Sequence, residues 1–369
     1  MMKSRYSVIL LLMMSFMVHG AQIKNNAKPL KGSWDFKPKK LWMLDNPGTD
    51  VFGAVESIDI SDDGTVYVAD SKNYKVFVIS GDGKYLSSIG NRGSGPGEFS
   101  VLRHLAFQDN RLIVVDDINI HYFSKDGKHL KSVINQYLNL TPVDFVNPEK
   151  FISVTLFTGS YSEKGQVLIV DIPTKTRNLI TEFPKFKPGA IPIKSGKDTT
   201  TTYSFSVSSL TPRMILGYRN NRLYFGMNDR YTIRITDLNG KAISQFSVDR
   251  KREKVTDKFK EELILALMPP TQIRKEVYKR LPNYLNYFNG IYVNENGYIY
   301  VFLPSCDKNN IQNFDIFSGN GTYLYSAQMK VEPGYGIKKI SISGAYMYLI
   351  LENEEGDIFL AKYAVVNPK

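Results

Sequence analysis

The chain has 369 residues, of which 43% are hydrophobic and 22% charged, and this composition excludes a disordered protein. Its 23 Tyr, 21 Phe and 27 Gly favour strands and tight turns over a helical bundle. The single Cys excludes a disulfide framework and a cysteine-based zinc cluster, and the four His leave few ligands for a multi-histidine centre. The net charge of +11 is spread along the chain without a long run, which favours a soluble basic surface over attraction to nucleic acid, acidic glycans or anionic lipid.

The first twenty residues predict a secretory signal peptide. Lys3 and Arg5 precede an apolar run at 8–18, and small residues follow that suit cleavage after Gly20. The run is too short to span a bilayer core of roughly 30 Å, and no Cys follows it that could carry a lipid anchor. We therefore expect export to the bacterial periplasm or cell exterior, no nucleic-acid partner and no transmembrane segment in the mature chain. Residues 21–38 are expected to form a leader before a folded domain at 39–369.

The segment that starts at residue 57 has the pattern of two consecutive hairpins, each made of a strand, a tight turn and a second strand. Ile58 and Ile60 alternate with polar residues, and Asp63-Gly64 supplies the positive φ that a two-residue hairpin turn requires. Two more short runs follow, at 75–79 and 85–90, with an Asp-Gly turn between them. These four strands predict one antiparallel sheet of the meander kind.

The same pattern recurs in five further copies, at a base period of about 45 residues. The copies begin near residues 104, 143, 214, 290 and 339. Six four-stranded units predict an all-β, six-bladed β-propeller, whereas two adjacent β-sandwiches do not predict the repeated pair of turns. The last copy lacks a clear fourth strand, and residues 40–44 are expected to supply it, which would close the ring from the N-terminal end.

Two stretches interrupt the repeat. Residues 182–212 are rich in Pro, Thr and Ser and predict a long loop with one outer strand. Residues 253–281, between the fourth and fifth copies, predict a helical insertion in which Thr256 caps the first helix and Met268-Pro269-Pro270 ends it. The insertion is expected to be a cap packed on the propeller or, alternatively, a lid or docking arm.

Several motifs resemble those of NHL-repeat propellers. They are Tyr67-Val68-Ala69-Asp70, the Asp82-Gly83-Lys84 turn, and the string Gly90-Asn91-Arg92-Gly93-Ser94-Gly95-Pro96-Gly97-Glu98-Phe99. More closely, the chain resembles bacterial exported six-bladed propeller proteins of that group, most clearly over residues 52–134. The resemblance implies the fold more firmly than an activity, because functions are grafted onto this scaffold.

Candidate ligand residues lie on the connections that form the channel mouth of a propeller. The glycines of residues 90–100 let backbone N–H groups face an anion, and basic residues flank this loop, which suits a carboxylate or phosphate. Two tyrosines before the fifth copy suit stacking against a sugar or peptide. Alternatively, the glycines serve the blade-to-blade crossing and the tyrosines are core residues. The candidates are Arg92, Arg103, His104, Tyr284 and Tyr287.

Related propellers include enzymes, and the resemblance implies two enzymatic alternatives. Lactonase-type propellers hold calcium with Glu, Asn and Asp around the channel, and peptide-amide lyases hold zinc with histidines from separate blades. The histidines of the mature chain all lie in the second copy, so a shared axial zinc is geometrically hard to build. The candidate calcium ligands are Glu56, Asp116, Asp144 and Asn289.

The sequence favours a non-catalytic protein and leaves an enzyme as the alternative. No Ser-His-Asp order, Walker loop or paired-carboxylate motif stands out in the sequence. We expect an exported, monomeric binding or scaffold propeller without a cofactor that recognises a protein segment or a glycan. The alternative is a calcium-dependent, lactonase-like hydrolase.

Overall fold

The computed structural model describes residues 20–135, 140–155, 164–186, 189–195, 199–207, 209–306 and 310–365. Apart from Gly20, the predicted signal peptide at 1–20 lies outside the described residues. Within these ranges, no helix combines the length and apolar character that crossing a membrane requires.

Strands dominate the chain, and most of them belong to six successive four-stranded sheets. Three N-terminal strands come first: β1 (Ala21–Asn25), β2 (Ser33–Trp34) and β3 (Lys39–Leu44). Blade one contains β4 (Val55–Ile60), β5 (Val66–Asp70), β6 (Lys75–Ile79) and β7 (Tyr85–Ile89). Blade two contains β8 (Leu102–Gln108), β9 (Arg111–Asp116), β10 (Asn119–Ser124) and β11 (His129–Ile134). Blade three contains β12 (Thr141–Asn147), β13 (Lys150–Thr155), β14 (Lys164–Asp171) and β15 (Thr176–Pro184).

The second half of the chain adds a hairpin, two helices and three blades. The hairpin is formed by β16 (Gly189–Ser195) and β17 (Thr199–Phe205). Blade four contains β18 (Met214–Arg219), β19 (Arg222–Met227), β20 (Thr232–Asp237) and β21 (Ala242–Val248). The insertion contains α1 (Asp257–Leu267), a 3₁₀ turn (Thr271–Ile273) and α2 (Arg274–Arg280). Blade five contains β22 (Gly290–Val293), β23 (Ile299–Phe302), β24 (Ile311–Phe317) and β25 (Tyr323–Lys330). Blade six contains β26 (Tyr335–Ser343), β27 (Tyr346–Asn353), β28 (Ile358–Ala364) and β3.

Each blade is an antiparallel meander whose turns follow the sequence signals. Gly64 and Gly83 adopt φ values of 85° and 88° in the turns of blade one, as the two Asp-Gly pairs predicted. The middle strands, such as β5 and β9, are almost entirely buried because neighbouring blades cover both faces of each sheet. The six-bladed fold predicted from the repeats is therefore confirmed.

The ring is closed by the N-terminal strand β3, as predicted. It pairs antiparallel with β28, with Met43 opposite Ala361, and so completes blade six. Trp42 of the same strand reaches blade one, where its indole Nε1–H donates to the Gly81 carbonyl at 3.0 Å. A single strand thus joins the last blade to the first and leaves no open gap in the ring.

The leader at 21–38 has structure that the sequence analysis did not assign to it. β1 lies parallel to β21 at the outer edge of blade four, and β2 lies parallel to β25 at the outer edge of blade five. The Asn25 side chain donates to the carbonyls of Ser247 and Gly321 and accepts from the Tyr323 N–H. With β3, the leader covers the outer edges of three consecutive blades.

The two interruptions of the repeat form one peripheral unit. The expectation of a long loop with one outer strand at 182–212 is wrong, because two strands of this stretch, β16 and β17, pair as an antiparallel hairpin. The helical insertion is confirmed: the Thr256 hydroxyl accepts from the Phe259 N–H at 3.2 Å, and α1 ends before Met268. Hairpin and helices share a small core that includes Ile191, Phe205, Phe259 and Val277. This core is separate from those between the blades.

Candidate functional site

The central channel holds a cavity of about 700 Å³, which we call the channel cavity. Its walls are the innermost strands of all six blades: β4, β8, β12, β18, β22 and β26. Polar side chains from all six blades line it. One example from each blade, in the order of the blades, gives Asp59, His104, Asp144, Arg219, Tyr292 and Ser341. Concave sites of this size with convergent polar groups are where small ligands bind.

Bulges in four of the innermost strands change the direction in which the following side chains point. The pairing register shifts at Glu56 in β4, at Arg103 in β8, at Val143 in β12 and at Lys338 in β26. A bulge places two residues opposite one and re-aims the side chains that follow. The residues directly after the four bulges are all polar: Ser57, His104, Asp144 and Lys339.

Part of this polar lining joins neighbouring blades. The Asp59 carboxylate accepts from the Phe107 N–H at 2.7 Å, and the Ser57 hydroxyl accepts from the Leu105 N–H at 2.7 Å. Both bonds run from blade one to the inner edge of blade two, where the backbone has no further strand. These side chains satisfy backbone groups that would otherwise face the cavity unpaired.

Asp59 and Asp144 are two of the carboxyls that line the channel cavity, and both hold a proton more tightly than usual. Burial raises the pKa of Asp144 to about 7, with a further contribution from the negative charge of Asp59. Burial likewise raises the pKa of Asp59 to about 6. Hydrogen bonds and the positive charge of Arg219 oppose both shifts, and Arg219 also pairs with Glu295 at 3.3 Å. The pair titrates close to neutral pH.

His104 lies in the cavity as a neutral ring. Burial and the nearby positive charge of Lys339 lower the pKa of His104 to about 4. Its imidazole stacks on Phe145 with ring centroids 6.1 Å apart and an interplanar angle of 11°. His104 therefore offers a hydrogen-bonding group to a ligand at neutral pH, and not the positive charge that an anion site would use.

The predicted anion-binding loop at 90–100 binds an anion of its own chain. The Glu98 carboxylate accepts from the Gly95 N–H at 2.8 Å and lies directly beside Gly93. Arg103 forms a two-pronged contact with Asp117, at 2.6 and 3.0 Å, and the Arg92 guanidinium lies 5.2 Å from the Tyr74 ring centroid. Both arginines thus already have partners within the loop region.

Tyr284 and Tyr287 lie at the connection between blades four and five. Arg252 lies over both rings, 5.9 Å from each centroid, and Tyr284 is 47% exposed. Tyr287 packs against Tyr231 with ring centroids 6.0 Å apart. In a ring of six blades this connection lies opposite the one between blades one and two that holds Arg92 and Arg103. The structure therefore does not join the five candidates into one site.

The four candidate calcium ligands do not converge either. Glu56 accepts from the Ser71 hydroxyl at 2.8 Å, whereas Asn289 lines a separate pocket between blades five and six. Asp116 is buried inside blade two, where hydrogen bonds from His121 and three backbone N–H groups outweigh burial and lower its pKa to about 2. Only Asp144 lines the channel cavity. Across the described ranges, no three His, Cys, Asp or Glu side chains group as a metal site, so the donor set does not fit calcium.

Asp59 and Arg219 are site residues that sequence reasoning missed. Asp59 is one of the polar residues that alternate with isoleucines in β4, and Arg219 is the last residue of β18, the first strand of blade four. Consecutive residues of the first strands line the cavity, such as Ile58, Asp59 and Ile60, so alternation alone does not single out Asp59.

Comparisons with known proteins agree with this architecture. Residues 49–204 match a protein family described as a 6-bladed beta-propeller. No curated protein matches the chain. Two solved structures from Bacteroides are similar in fold. A protein of B. fragilis described as exported has 13% identity and a TM-score of 0.53, with 94% of this chain and 100% of that chain covered. A DUF4221 family member from B. vulgatus has 11% identity and a TM-score of 0.55, with 90% and 98% covered.

Proposed function

We propose that the protein is an exported, non-catalytic binding propeller that recognises a segment of a protein or a glycan through the channel cavity. The observation that carries the proposal is the cavity itself, which gathers polar side chains from all six blades. Export is supported by the signal-peptide pattern of residues 1–20 and by the likeness to a Bacteroides protein described as exported.

The size and chemistry of the cavity restrict what can enter it. About 700 Å³ accommodates a single sugar ring or one polar side chain of an extended segment, and not a folded domain. Carboxyl, imidazole, phenol and hydroxyl groups line the walls, so a ligand with several hydroxyl or amide groups finds donors and acceptors in several directions. A purely apolar ligand would leave these groups unpaired.

A hydrolase is the second candidate, and one observation favours it. Asp59 and Asp144 share the cavity and have pKa values of about 6 and 7, which is the range suited to general acid–base catalysis near neutral pH. This candidate does not rest on calcium, because the predicted donor set does not converge.

A blocked channel tests the binding proposal. Residues 21–369 would be applied to glycan and peptide arrays beside the variant Ser341→Trp, whose indole narrows the cavity, and the control Ser87→Trp on the exposed outer strand of blade one. We expect binding by the wild type and the control, and at least a tenfold loss for Ser341→Trp at an unchanged melting temperature. Equal binding by Ser341→Trp would exclude the channel cavity as the site.

Enzymatic turnover is tested on the same preparations. A panel of lactones and esters would be incubated with the wild type, with Asp144→Asn and with Asp45→Asn, whose side chain is exposed far from the cavity. The binding proposal expects no turnover. Hydrolysis that Asp144→Asn abolishes and Asp45→Asn preserves would replace the binding proposal with the hydrolase.

A further inference from the structure

The second half of α1 is more apolar than its packing requires. Residues 263–268 form an unbroken apolar run, Leu-Ile-Leu-Ala-Leu-Met. Leu263, Ile264 and Leu267 pack against the core of the insertion. Leu265 and Met268, in contrast, are 72% and 79% exposed. A surface helix normally has polar residues on the face that its core does not use, so these two side chains are unexplained by the fold.

Met268 is also unusual for its backbone. It ends α1 in the left-handed region, at φ 43° and ψ 49°, and its N–H donates to the Ile264 carbonyl at 3.1 Å. Glycine or asparagine is the usual residue at such a helix end. A long apolar side chain here costs backbone strain and exposes an apolar surface, while the chain gains no packing from it.

Two exposed basic residues follow these side chains in the sequence. The Arg274 Nε donates to the Pro269 carbonyl at 3.3 Å, so its guanidinium group lies beside the residue that follows Met268, and Lys275 is exposed on α2. From the start of α1 to the end of α2, residues 257–280 contain six basic and four acidic residues, and the acidic Glu276 pairs with Arg280 at 2.7 Å. We call Leu265, Met268, Arg274 and Lys275 the cap tip. It combines two exposed apolar side chains with two exposed basic ones.

We propose that the cap tip docks the protein on the surface of an anionic lipid bilayer. Leu265 and Met268 would enter the boundary between headgroups and acyl chains, and Arg274 and Lys275 would pair with lipid phosphates. Stable attachment to a bilayer generally needs two signals, for example an apolar one and a basic one, and the cap tip supplies both. This surface is separate from the channel cavity and does not depend on the function proposed for it.

The shape of the cap tip favours lipid over a protein partner. A stable protein interface buries roughly 800 Å² on each side, with a central apolar core. The cap tip exposes only two large apolar side chains, at the end of α1. A bilayer requires no complementary groove, and its negative surface would attract Arg274 and Lys275.

Vesicle binding tests the proposal directly. Residues 21–369 would be sedimented with vesicles of phosphatidylcholine alone and of an equimolar mixture with phosphatidylglycerol, at low and high salt. We expect binding to the anionic vesicles only, weakened by salt. The pair Leu265→Ser with Met268→Ser, and separately Arg274→Glu with Lys275→Glu, should each lower the partition coefficient at least about tenfold.

Matched controls separate the cap tip from general surface properties. Leu30→Ser removes a side chain that is 76% exposed in the leader, and Lys24→Glu with Lys28→Glu reverses two exposed charges there. Neither should change binding beyond twofold. The proposal is overturned if the wild type does not bind anionic vesicles or if the controls lose binding equally. It is also overturned if the cap-tip variants abolish a dimer in sedimentation velocity without any vesicle binding, because a second copy would then occupy the surface.

Discussion

Asp315 is a buried carboxylate in blade five that holds two blades together. Its oxygens accept from the Tyr231 hydroxyl at 2.5 Å and from the Tyr323 hydroxyl at 2.6 Å. Arg250, which follows the last strand of blade four, pairs with the same group at 2.8 Å. One carboxylate thus compensates the charge of an arginine and satisfies two buried hydroxyls, which is the condition for keeping a charge inside a protein.

Replacing Asp315 should be costly. In Asp315→Asn the Arg250 charge loses its counter-ion inside the protein, so we expect the free energy of unfolding to fall by about 3 kcal/mol. Asp82→Asn is the matched control, because Asp82 pairs with Lys84 on the surface and should contribute nothing measurable. Urea unfolding of both variants gives the comparison. Similar losses in the two would mean that the buried network is not a main source of stability.

The titration of Asp144 predicts a pH dependence of stability. Its pKa rises from the ordinary 3.8 to about 7 in the folded protein, mainly through burial. Between these values the folded state binds more protons than the unfolded state, so this group lowers stability progressively as pH rises through that window. Asp144→Asn should therefore be increasingly stabilising, relative to the wild type, from the lower end of the window to the upper end.

Urea unfolding at a series of pH values measures this difference. Asp45→Asn serves as the control, because it removes an exposed carboxyl of the same type outside the channel cavity. Parallel pH profiles for the wild type and Asp144→Asn would contradict the raised pKa.

Single residues of the site were only partly predictable from the sequence. The Thr256 cap follows from a local rule, since its partner lies three residues away. His104 and Asp144 were chosen as candidates, but for an anion and for calcium, neither of which their surroundings suit. The one-residue shifts at Arg103 and Val143 determine which side chains face the axis, and a bulge leaves no clear mark in a single sequence.

At the scale of elements, the leader depends on one side chain. Asn25 makes three hydrogen bonds to blades four and five, whereas its neighbour Asn26 is exposed. Asn25→Ala should lower the free energy of unfolding by about 2 kcal/mol, because backbone groups lose their partners. It should also speed amide exchange in β1. Asn26→Ala should do neither, and equal effects of the two would contradict a specific anchor.

The sequence predicts the elements where they repeat and misses them where they do not. Six copies of one pattern identify the blades, and the incomplete last copy identifies β3 as its missing strand. β1 and β2 are short and mostly polar, and their partner strands are distant in sequence, so no local signal marks them as strands. The hairpin β16–β17 was taken for a loop because its prolines and threonines are typical of loops.

At the scale of the whole molecule, the helical insertion is a separable unit. Its two ends meet in an antiparallel bridge between Lys254 and Tyr284, and the Val255 N–H donates to the Asn283 carbonyl at 2.9 Å. Replacing residues 256–282 by Asn-Gly should therefore close a two-residue hairpin without displacing blades four and five.

The shortened protein should keep the ring and one cooperative unfolding transition. We expect its melting temperature to fall by several degrees, because Leu210, Leu285 and Cys306 lose apolar neighbours from the insertion. Circular dichroism and calorimetry measure both properties. Loss of cooperative unfolding would show that the insertion belongs to the core of the propeller.

The leader and β3, which together lie at the outer edges of blades four to six, also constrain the order of folding. Asn25 is separated by 222 residues from Ser247 and by 296 from Gly321, so β1 has no partner strand until blade four has been synthesised, and β2 has none until blade five. The blades can form one after another from local hairpins, whereas the pairing of β3 with β28 joins strands from distant parts of the chain, a kind of contact that forms slowly. A chain that ends before β28 can therefore form blades but cannot pair β28 with β3, so the ring closes only when the chain is present through β28.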